Sequence, residues 1–340
     1  MKKTLKNIGT YICIQGITFI IIGIPLVFKG PFTNIKENWV MTAMTTMNHQ
    51  YLATWFVSES EIDAIVNKNK APESSENVNI GAINIDKHAV NQEINIYDTY
   101  SYPGSEVIYN EDGVKIETFR EGKFKAYVTI IDDPSRVQVA TTEHLGSYGE
   151  KLTSITERYD AVVGINAGGF VDNGGHGNGG KPLGIVIEDS VEIYSQSNKE
   201  HHIVGFNEDD VLVLGKYSRE ELNNLNLRDA ITFRPFLIVN GKPQITEGNG
   251  GWGIAPRTAI GQRKDGKIIF LTIDGRQASS IGATLKEVQD IMLLYGAYNC
   301  ANLDGGSSTE LVLNNETINK TSSSHGPRNL ATSFIVKSKN

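Results

Sequence analysis

The hydrophobic and polar positions of the chain follow both helical and strand periods. Positions 285–295 carry an apolar stripe with helical spacing, preceded by a Thr284 and Glu287 capping box and followed by Gly296, which predicts an amphipathic helix. A second capping box, Ser218 with Glu221, and the pattern of 152–159 predict two shorter helices. Runs rich in β-branched residues between turn compositions predict strands. These cover 123–131, 137–141, 161–166, 184–187, 203–206, 211–214, 232–239, 257–262, 267–273, 299–303 and 331–336.

The order of these elements predicts the fold class. Helices interrupt the strands, so we expect an α/β (mixed α+β) protein, with a mixed β-sheet domain, helices and glycine-rich loops, and not a sandwich. Asn240-Gly241 between two apolar runs predicts a tight hairpin. No internal repeat is evident, although paired glycines recur in the predicted loops.

The N-terminal segment has the pattern of a transmembrane helix. Positions 11–28 contain no charged residue and follow Lys2, Lys3 and Lys6. An apolar run of this length with lysines before it predicts a signal-anchor whose lysines lie in the cytoplasm. A cleaved signal peptide is the alternative, but no small-residue cleavage site follows. We therefore expect residues 1–30 to be a cytoplasmic tail and transmembrane anchor on the cell membrane, with an extracytoplasmic body.

The next segment, 31–92, is expected to be a juxtamembrane helix and a polar linker. Positions 39–67 are compatible with helix, and 67–91 are rich in Asn, Lys, Glu and Ser. The helix is either a partner-binding or membrane-apposed stalk, or an element packed on the main domain. The main domain is expected to span 93–340.

Composition limits the partners. The net charge of −7 and the pI near 5.6 argue against nucleic acid, whose phosphates need a basic face. An anionic substrate would then need a local arginine site. Cys13 and Cys300 are the chain's two cysteines, and their positions in an apolar segment and a core strand lead us to expect no disulfide.

Two predicted strands end on a carboxylate that glycine follows. Asp304 precedes Gly305-Gly306-Ser307-Ser308, and Asp274 precedes Gly275-Arg276. Residues without Cβ let backbone N–H groups approach an anion or a sugar closely. Each aspartate could instead be a turn or cap acceptor.

Four motifs in a fixed order carry a resemblance to a known family. They are Asn-x-Gly-Gly-Phe at 166–170, Arg-Pro-Phe at 234–236 with its Asn-Gly hairpin, Ala-Pro-Arg-Thr-Ala-Ile-Gly at 255–261, and Asn-Leu-Asp-Gly-Gly-x-Ser at 302–308. The chain from about 160 to 336 thereby resembles the phosphodiester glycosidase family. Ser307 and Ala167 stand where the family commonly has glycine. The resemblance implies a hydrolase that cleaves the glycosyl C–O bond of a sugar-1-phosphodiester.

The motif positions suggest roles for the site residues. A planar guanidinium matches phosphate oxygens in two-point contact, and Asn166 either binds sugar hydroxyls or caps its loop. The expected catalytic residues are Asp304 and Asp274. The expected substrate-binding residues are Asn166, Gly168, Gly169, Arg234, Arg257, Gly305, Gly306, Ser307 and Ser308.

No cofactor is required by these motifs, although Ca²⁺ or Mg²⁺ could be held by oxygens of Asp274, Asp304 and Glu310. Two other functions therefore stay open, a metal-dependent phosphodiesterase and a non-catalytic protein of glycan binding or exopolysaccharide assembly. The expected partners are a glycan or sugar-phosphate substrate, in cell-envelope or exopolysaccharide material, and the membrane.

Overall fold

The computed structural model describes residues 2–46, 49–72, 76–85, 97–172, 177–196, 199–323 and 325–339. The main domain is predicted to begin at residue 93, and residues 93–96 lie outside the described ranges. The helices are α1 Lys2–Thr18, α2 Ile24–Lys29, α3 Thr33–Met44, α4 Tyr51–Thr54, α5 Glu59–Asn69, α6 Leu152–Arg158, α7 Arg219–Leu222 and α8 Leu285–Leu294. A π-helical turn, Phe19–Gly23, joins α1 to α2.

Twenty strands form four sheets in the part of the chain that the structure describes. They are β1 Glu106–Glu111, β2 Val114–Glu121, β3 Phe124–Ile131, β4 Val137–Thr141, β5 Glu150–Lys151, β6 Ala161–Asn166, β7 Ile185–Glu188, β8 Val191–Ser195, β9 Glu200–Asn207, β10 Leu212–Ser218, β11 Leu227–Thr232, β12 Phe236–Val239, β13 Lys242–Pro243, β14 Arg257–Arg263, β15 Ile268–Ile273, β16 Ala297–Asn302, β17 Leu311–Leu313, β18 Glu316–Thr317, β19 Asn329–Leu330 and β20 Thr332–Lys337. The sheet orders are β1-β2-β3-β15-β14-β16-β12-β13, β10-β9-β11-β7-β8, β18-β17-β6-β20-β4 and β19-β5.

The predicted class of mixed helices and sheets is confirmed, and neighbouring strands within the described sheets pair antiparallel. Among the described elements a helix lies between two strands of the same sheet three times, and each time a third strand separates the two. β14 separates β15 from β16 around α8, β20 separates β4 from β6 around α6, and β9 separates β10 from β11 around α7.

Local hydrogen bonds explain why α8 forms where the pattern predicts it. The Thr284 hydroxyl accepts from the Glu287 N–H while the Glu287 carboxylate accepts from the Thr284 N–H, which satisfies two N-terminal donors. Gly296 ends the helix at φ +84. The second predicted box, Ser218 with Glu221, is also present at α7.

The predicted strand 232–239 is wrong as a single element. It is two strands, β11 and β12, that belong to different sheets. Pro235 has no N–H to donate, so a sheet ladder cannot continue through it. Arg234 therefore lies in the crossover between the sheets and not inside a strand.

The central strands of the eight-stranded sheet, β3, β15 and β14, are buried on both faces, whereas its edge strands β1 and β13 are exposed. Alternate residues of β15 divide between the two faces. Ile268 and Phe270 join a core shared with the two five-stranded sheets, while Ile269 and Leu271 pack with α8. This sheet is the layer from which the rest of the domain is built.

The N-terminal helices form a smaller core of their own. It includes Phe28, Val40, Met41, Ala43, Ala53, Val57, Ile62 and Ile65. These helices contact the main domain, since Asn249 donates to Asn38 at 2.8 Å and the Ile254 N–H donates to Thr42 at 3.0 Å. Within the described residues, Thr10–Lys29 is a helix long and apolar enough to cross a membrane.

A truncation in α8 tests the two-sided burial of the sheet. Met292 is fully buried, whereas Leu294 on the same helix is 45% exposed. We expect Met292→Ala to lower the free energy of unfolding by about 2–5 kcal/mol, since it leaves a cavity against the sheet. Leu294→Ala is the control and should change it by less than about 1 kcal/mol. Equal losses in chemical denaturation would contradict this packing.

Candidate active site

The ends of three strands meet at one buried amide. Asn166 closes β6, and its Nδ2 donates to the Asp304 carbonyl oxygen at 2.5 Å. Its Oδ1 accepts from the Thr258 hydroxyl at 2.7 Å and from the Glu310 N–H at 3.1 Å. The Asp304 N–H donates to the Ala167 carbonyl at 2.9 Å. Asn166 is fully buried, and these side-chain hydrogen bonds join it to the surrounding segments.

A cleft of about 630 Å³ opens beside these loops. It brings together residues that are far apart in sequence, from the segment between α3 and α4, both glycine loops and the turn after β15. Of the predicted site residues it is lined by Gly169, Arg257, Asp304, Gly305, Gly306, Ser307 and Ser308.

Asp304 is the carboxylate of this cleft. Burial raises its pKa to about 6, although the Ser308 hydroxyl, the Gly305 N–H and the charge of Arg328 favour the ionised form, and the nearby Asp172 disfavours it. The Gly305 N–H lies 3.0 Å from Oδ1. A carboxyl group with this pKa can be ionised or protonated close to neutral pH.

The two glycines after Asp304 are required by space and backbone shape. A Cβ on Gly305 would lie 2.9 Å from the Pro256 carbonyl oxygen. Gly306 has φ +62, and a Cβ there would lie 3.1 Å from a terminal nitrogen of Arg276. The backbone at this turn can therefore approach both the neighbouring strand and a guanidinium.

Arg257 lies at the base of the cleft and is 3% exposed. Its Nε donates to the Ala283 carbonyl at 3.0 Å, and its Nη2 donates to the carbonyls of Trp252 at 2.7 Å and Gly253 at 2.6 Å. Burial, and then the charge of Arg276, lower its pKa to about 9, so it remains charged at neutral pH. In the described chain Nη1 has no hydrogen-bond partner, and Arg257 makes no salt bridge with a described carboxylate.

Two further arginines line the cleft that were absent from the predicted site residues. Arg276 is exposed, with φ +57, and lines the cleft. It directly follows Asp274-Gly275, so the strand-end motif that drew attention to Asp274 could also have identified Arg276. Arg328 bonds Asp172 at 3.1 Å and Ser307 at 3.3 Å, and its guanidinium lies 5.1 Å from the Phe170 ring centroid. Asp172 also lines the cleft and was not predicted.

Three predicted site residues lie elsewhere. Asp274 is buried and accepts from the Asn319 side chain at 3.1 Å and from the Lys320 N–H at 3.0 Å, so it fixes that segment. Arg234 lines a separate pocket of about 150 Å³. Gly168 is buried, and its N–H donates to the Thr332 hydroxyl at 3.0 Å.

The three carboxylates considered as metal ligands do not converge. Asp274 is engaged as described, and Glu310 is buried and accepts from the Thr317 hydroxyl at 2.6 Å. Across the described ranges, no group of three or more His, Cys, Asp or Glu side chains is placed to hold a metal ion.

The raised pKa of Asp304 predicts how stability depends on pH. Its ordinary value is 3.8 and its folded value is about 6, so the folded protein holds this proton more tightly than the unfolded chain does. The contribution to stability is complete below about pH 3.8 and is lost as pH rises through about 6. We expect Asp304→Asn to melt a few degrees above the wild type at about pH 7.5 and level with it near pH 4. The control is the exposed Asp209→Asn, which should show no such trend. A variant less stable than wild type at neutral pH would contradict the burial.

Comparisons with known proteins agree with this site. A family model described as phosphodiester glycosidase matches residues 159–337. The SPbeta prophage-derived uncharacterized protein YomE of Bacillus subtilis (strain 168) is 29% identical over 201 residues, which are 56% of this chain and 29% of that protein. The human N-acetylglucosamine-1-phosphodiester alpha-N-acetylglucosaminidase is 30% identical over 154 residues, which are 40% of this chain and 30% of that enzyme. The chain thus spans less than a third of the length of either relative.

One solved structure shows the same fold. The catalytic domain of the zebrafish N-acetylglucosamine-1-phosphodiester alpha-N-acetylglucosaminidase, auto-inhibited by its pro-peptide, aligns with a TM-score of 0.55 and 23% identity. The alignment covers 69% of this chain and 82% of that domain. The family match extends over more than half of the chain and contains the strand ends that meet at Asn166 together with most of the cleft. The chain belongs to the phosphodiester glycosidase family.

Proposed function

We propose that the chain hydrolyses the glycosyl C–O bond of a sugar-1-phosphodiester. The observation that carries this proposal is the pairing of charges in the cleft. Buried Arg257 and exposed Arg276 line one cleft, a Cβ on Gly306 would lie 3.1 Å from a terminal nitrogen of Arg276, and neither arginine forms a salt bridge with a described carboxylate. Two guanidinium groups that line one cleft favour an anion between them. Asp304 lines the same cleft.

Asp304, Arg257 and Arg276 supply the groups that this hydrolysis needs. Water adds to the anomeric carbon and gives up a proton, which the Asp304 carboxylate accepts. The bond between that carbon and the phosphate oxygen breaks, and its electron pair leaves with the phosphomonoester. Arg257 and Arg276 stabilise the charge that develops on the departing phosphate. The products are the free sugar, the phosphomonoester and one proton returned to solvent.

A single free carboxylate is enough for such a reaction. Most glycosidases use two, one of which protonates the leaving oxygen. A phosphate ester leaves as a stabilised anion, so arginines can replace much of that acid. The second carboxylate in the cleft, Asp172, is bound by Arg328 at 3.1 Å and is therefore assigned to positioning Arg328 and not to proton transfer.

The place of the reaction is the outer side of a membrane. The apolar helix Thr10–Lys29 and the lysines that precede it support a single-pass anchor with the domain extracytoplasmic. The substrate would then be a sugar phosphate of cell-envelope or exopolysaccharide material. The human relative's name supports N-acetylglucosamine 1-phosphate diesters as the first compounds to test.

Isotope labelling identifies the bond that breaks. In ¹⁸O water we expect wild-type protein to release unlabelled phosphomonoester from an N-acetylglucosamine 1-phosphate diester, because water adds to carbon. Asp304→Asn should lower turnover about a hundredfold or more. The wild-type rate should fall below about pH 6, as Asp304 loses its ability to accept a proton.

Other outcomes point to other functions. Label in the phosphate, with activity lost in EDTA, would indicate a metal-dependent phosphodiesterase. Binding of the diester without any product would indicate a glycan-binding protein. A rate equal to wild type in Asp304→Asn would remove Asp304 from the reaction.

The arginine site makes a separate prediction. Arg276→Lys keeps the positive charge, and lysine must adopt the same positive φ as arginine at this position. It loses the planar guanidinium that can bind phosphate through two hydrogen bonds. We expect it to lower kcat/KM for the diester at least tenfold, and to change kcat/KM little for an aryl glycoside that has no phosphate. The control is Arg219→Lys, since Arg219 pairs with Glu192 at 2.6 Å on the surface. Equal losses on both substrates would show that Arg276 does not contact the phosphate.

A further inference from the structure

The membrane-proximal helices, α3, α4 and α5, follow the apolar helix without a linker. The apolar helix ends at Lys29 and α3 begins at Thr33. The Phe28 ring stacks on Phe56 with a centroid distance of 4.9 Å and meets Trp39 edge-on at 6.1 Å. The end of the apolar helix is therefore packed into the core of these helices.

The membrane-proximal helices are in turn fixed to a wall of the cleft. The first and the last of these helices bond the loop that carries Trp252, through Thr42 in the last turn of α3 and Asn69 at the end of α5. The Asn249 N–H donates to the Asn69 side chain at 3.0 Å, and the Ile254 N–H donates to Thr42 at 3.0 Å. Since Trp252 lines the cleft, the position of the cleft relative to the apolar helix is set by packing.

The distance from the membrane to the cleft is short. Thr45, Thr46 and His49 line the cleft directly after α3. The helix α3 has 12 residues, so it spans about 18 Å. One wall of the cleft thus lies within about one helix length of the bilayer surface.

Exposed aromatic side chains surround this wall. Trp55 is 71% exposed, and its ring lies 4.9 Å from Tyr51, which in turn lies 6.1 Å from His49 in the cleft. Trp and Tyr favour the interface between lipid and water, and a surface of such residues continuous with a membrane helix fits the headgroup layer. Other exposed apolar residues of this surface are Phe32, Ile35 and Trp39.

We propose that the substrate is a membrane lipid, a glycosyl phosphodiester whose second ester group is a lipid chain held in the same bilayer. The inference rests on the proposed function and adds the class of the leaving group. Water adds to the anomeric carbon, the carbon–oxygen bond breaks, the free sugar leaves, and the lipid monophosphate stays in the membrane. The apolar cleft residues Phe170, Leu183 and Phe233 give the first part of the lipid chain a surface to contact.

Two substrates that share one sugar phosphate test this proposal. The full chain is reconstituted in vesicles, shown to resist a carbonate wash, and given N-acetylglucosamine 1-phosphate esterified either to a polyisoprenyl lipid in the same vesicles or to methanol in solution. We expect the lipid diester to be cleaved at least tenfold more efficiently. Trp55→Ser should lower the rate on the lipid diester several-fold and leave the methyl diester unchanged. The control is Val191→Ser, which replaces a 59% exposed apolar residue on edge strand β8 and should change neither rate.

The outcomes separate this inference from the function on which it rests. Cleavage of the methyl diester with equal or lower efficiency for the lipid diester overturns the lipid substrate and keeps the hydrolase. Cleavage of neither compound overturns both. Equal loss of both rates in Trp55→Ser overturns the role of the aromatic surface.

A second measurement does not depend on activity. The chain has three tryptophans, so the variant Trp39→Phe/Trp252→Phe leaves Trp55 as the fluorophore. Vesicles of brominated phospholipid should quench its emission, and a variant that retains Trp252 alone is the control for a residue inside the cleft. Emission from Trp55 that is unchanged by brominated lipid would place this surface in water and overturn the inference.

Discussion

The amide of Asn166 is the interaction on which the site depends. Its three hydrogen bonds tie the end of β6 to the start of β14 and to both sides of the loop after β16. A fully buried amide left without these partners would cost about 1–3 kcal/mol for each unpaired group, so the three segments are held in one arrangement. That arrangement turns the Asp304 side chain toward the cleft, because its backbone N–H and carbonyl are both occupied. The buried Asn166 amide thus fixes the position of the Asp304 carboxylate.

The two halves of the site repeat one pattern, which the sequence did not reveal as a repeat. Tyr-Asp-Ala at 159–161 and Tyr-Gly-Ala at 295–297 lead from a helix into β6 and β16, and paired glycines follow both strands. A Pro-Arg pair also stands at the start of β14, at 256–257, and shortly before β20, at 327–328. The backbone bonds correspond, since Ala167 donates to Thr332 and Leu303 donates to Thr258. The strand that pairs with β16, β14, precedes the helix α8, whereas the strand that pairs with β6, β20, follows the helix α6. The order along the chain therefore differs, and a search for a sequence period does not find the repeat.

Sequence reasoning succeeded where the cause is local and failed where the partner is distant. The capping boxes, Gly296 and Asn240-Gly241 act within a few residues, and each is present in the structure. Asp274 and Asp304 both follow strands that run in the same direction, so both lie at one sheet edge as their motifs suggest. The Asp274 side chain is nevertheless held by Asn319 and Lys320, and nothing near it in sequence indicates that. Arg328 enters the cleft from the far end of the chain for the same reason.

The charges of the cleft contrast with those of the whole protein. The chain carries a net charge of −7, yet three arginines line one cleft together with Asp304, whose pKa is raised to about 6. At neutral pH and long range an anionic substrate is therefore repelled slightly, while at short range it meets the guanidinium groups of the cleft. Long-range attraction matters most for substrates captured from solution. A substrate that shares a membrane with its enzyme meets it by lateral diffusion and needs only the local field, and this charge distribution therefore suits the lipid substrate proposed for the cleft.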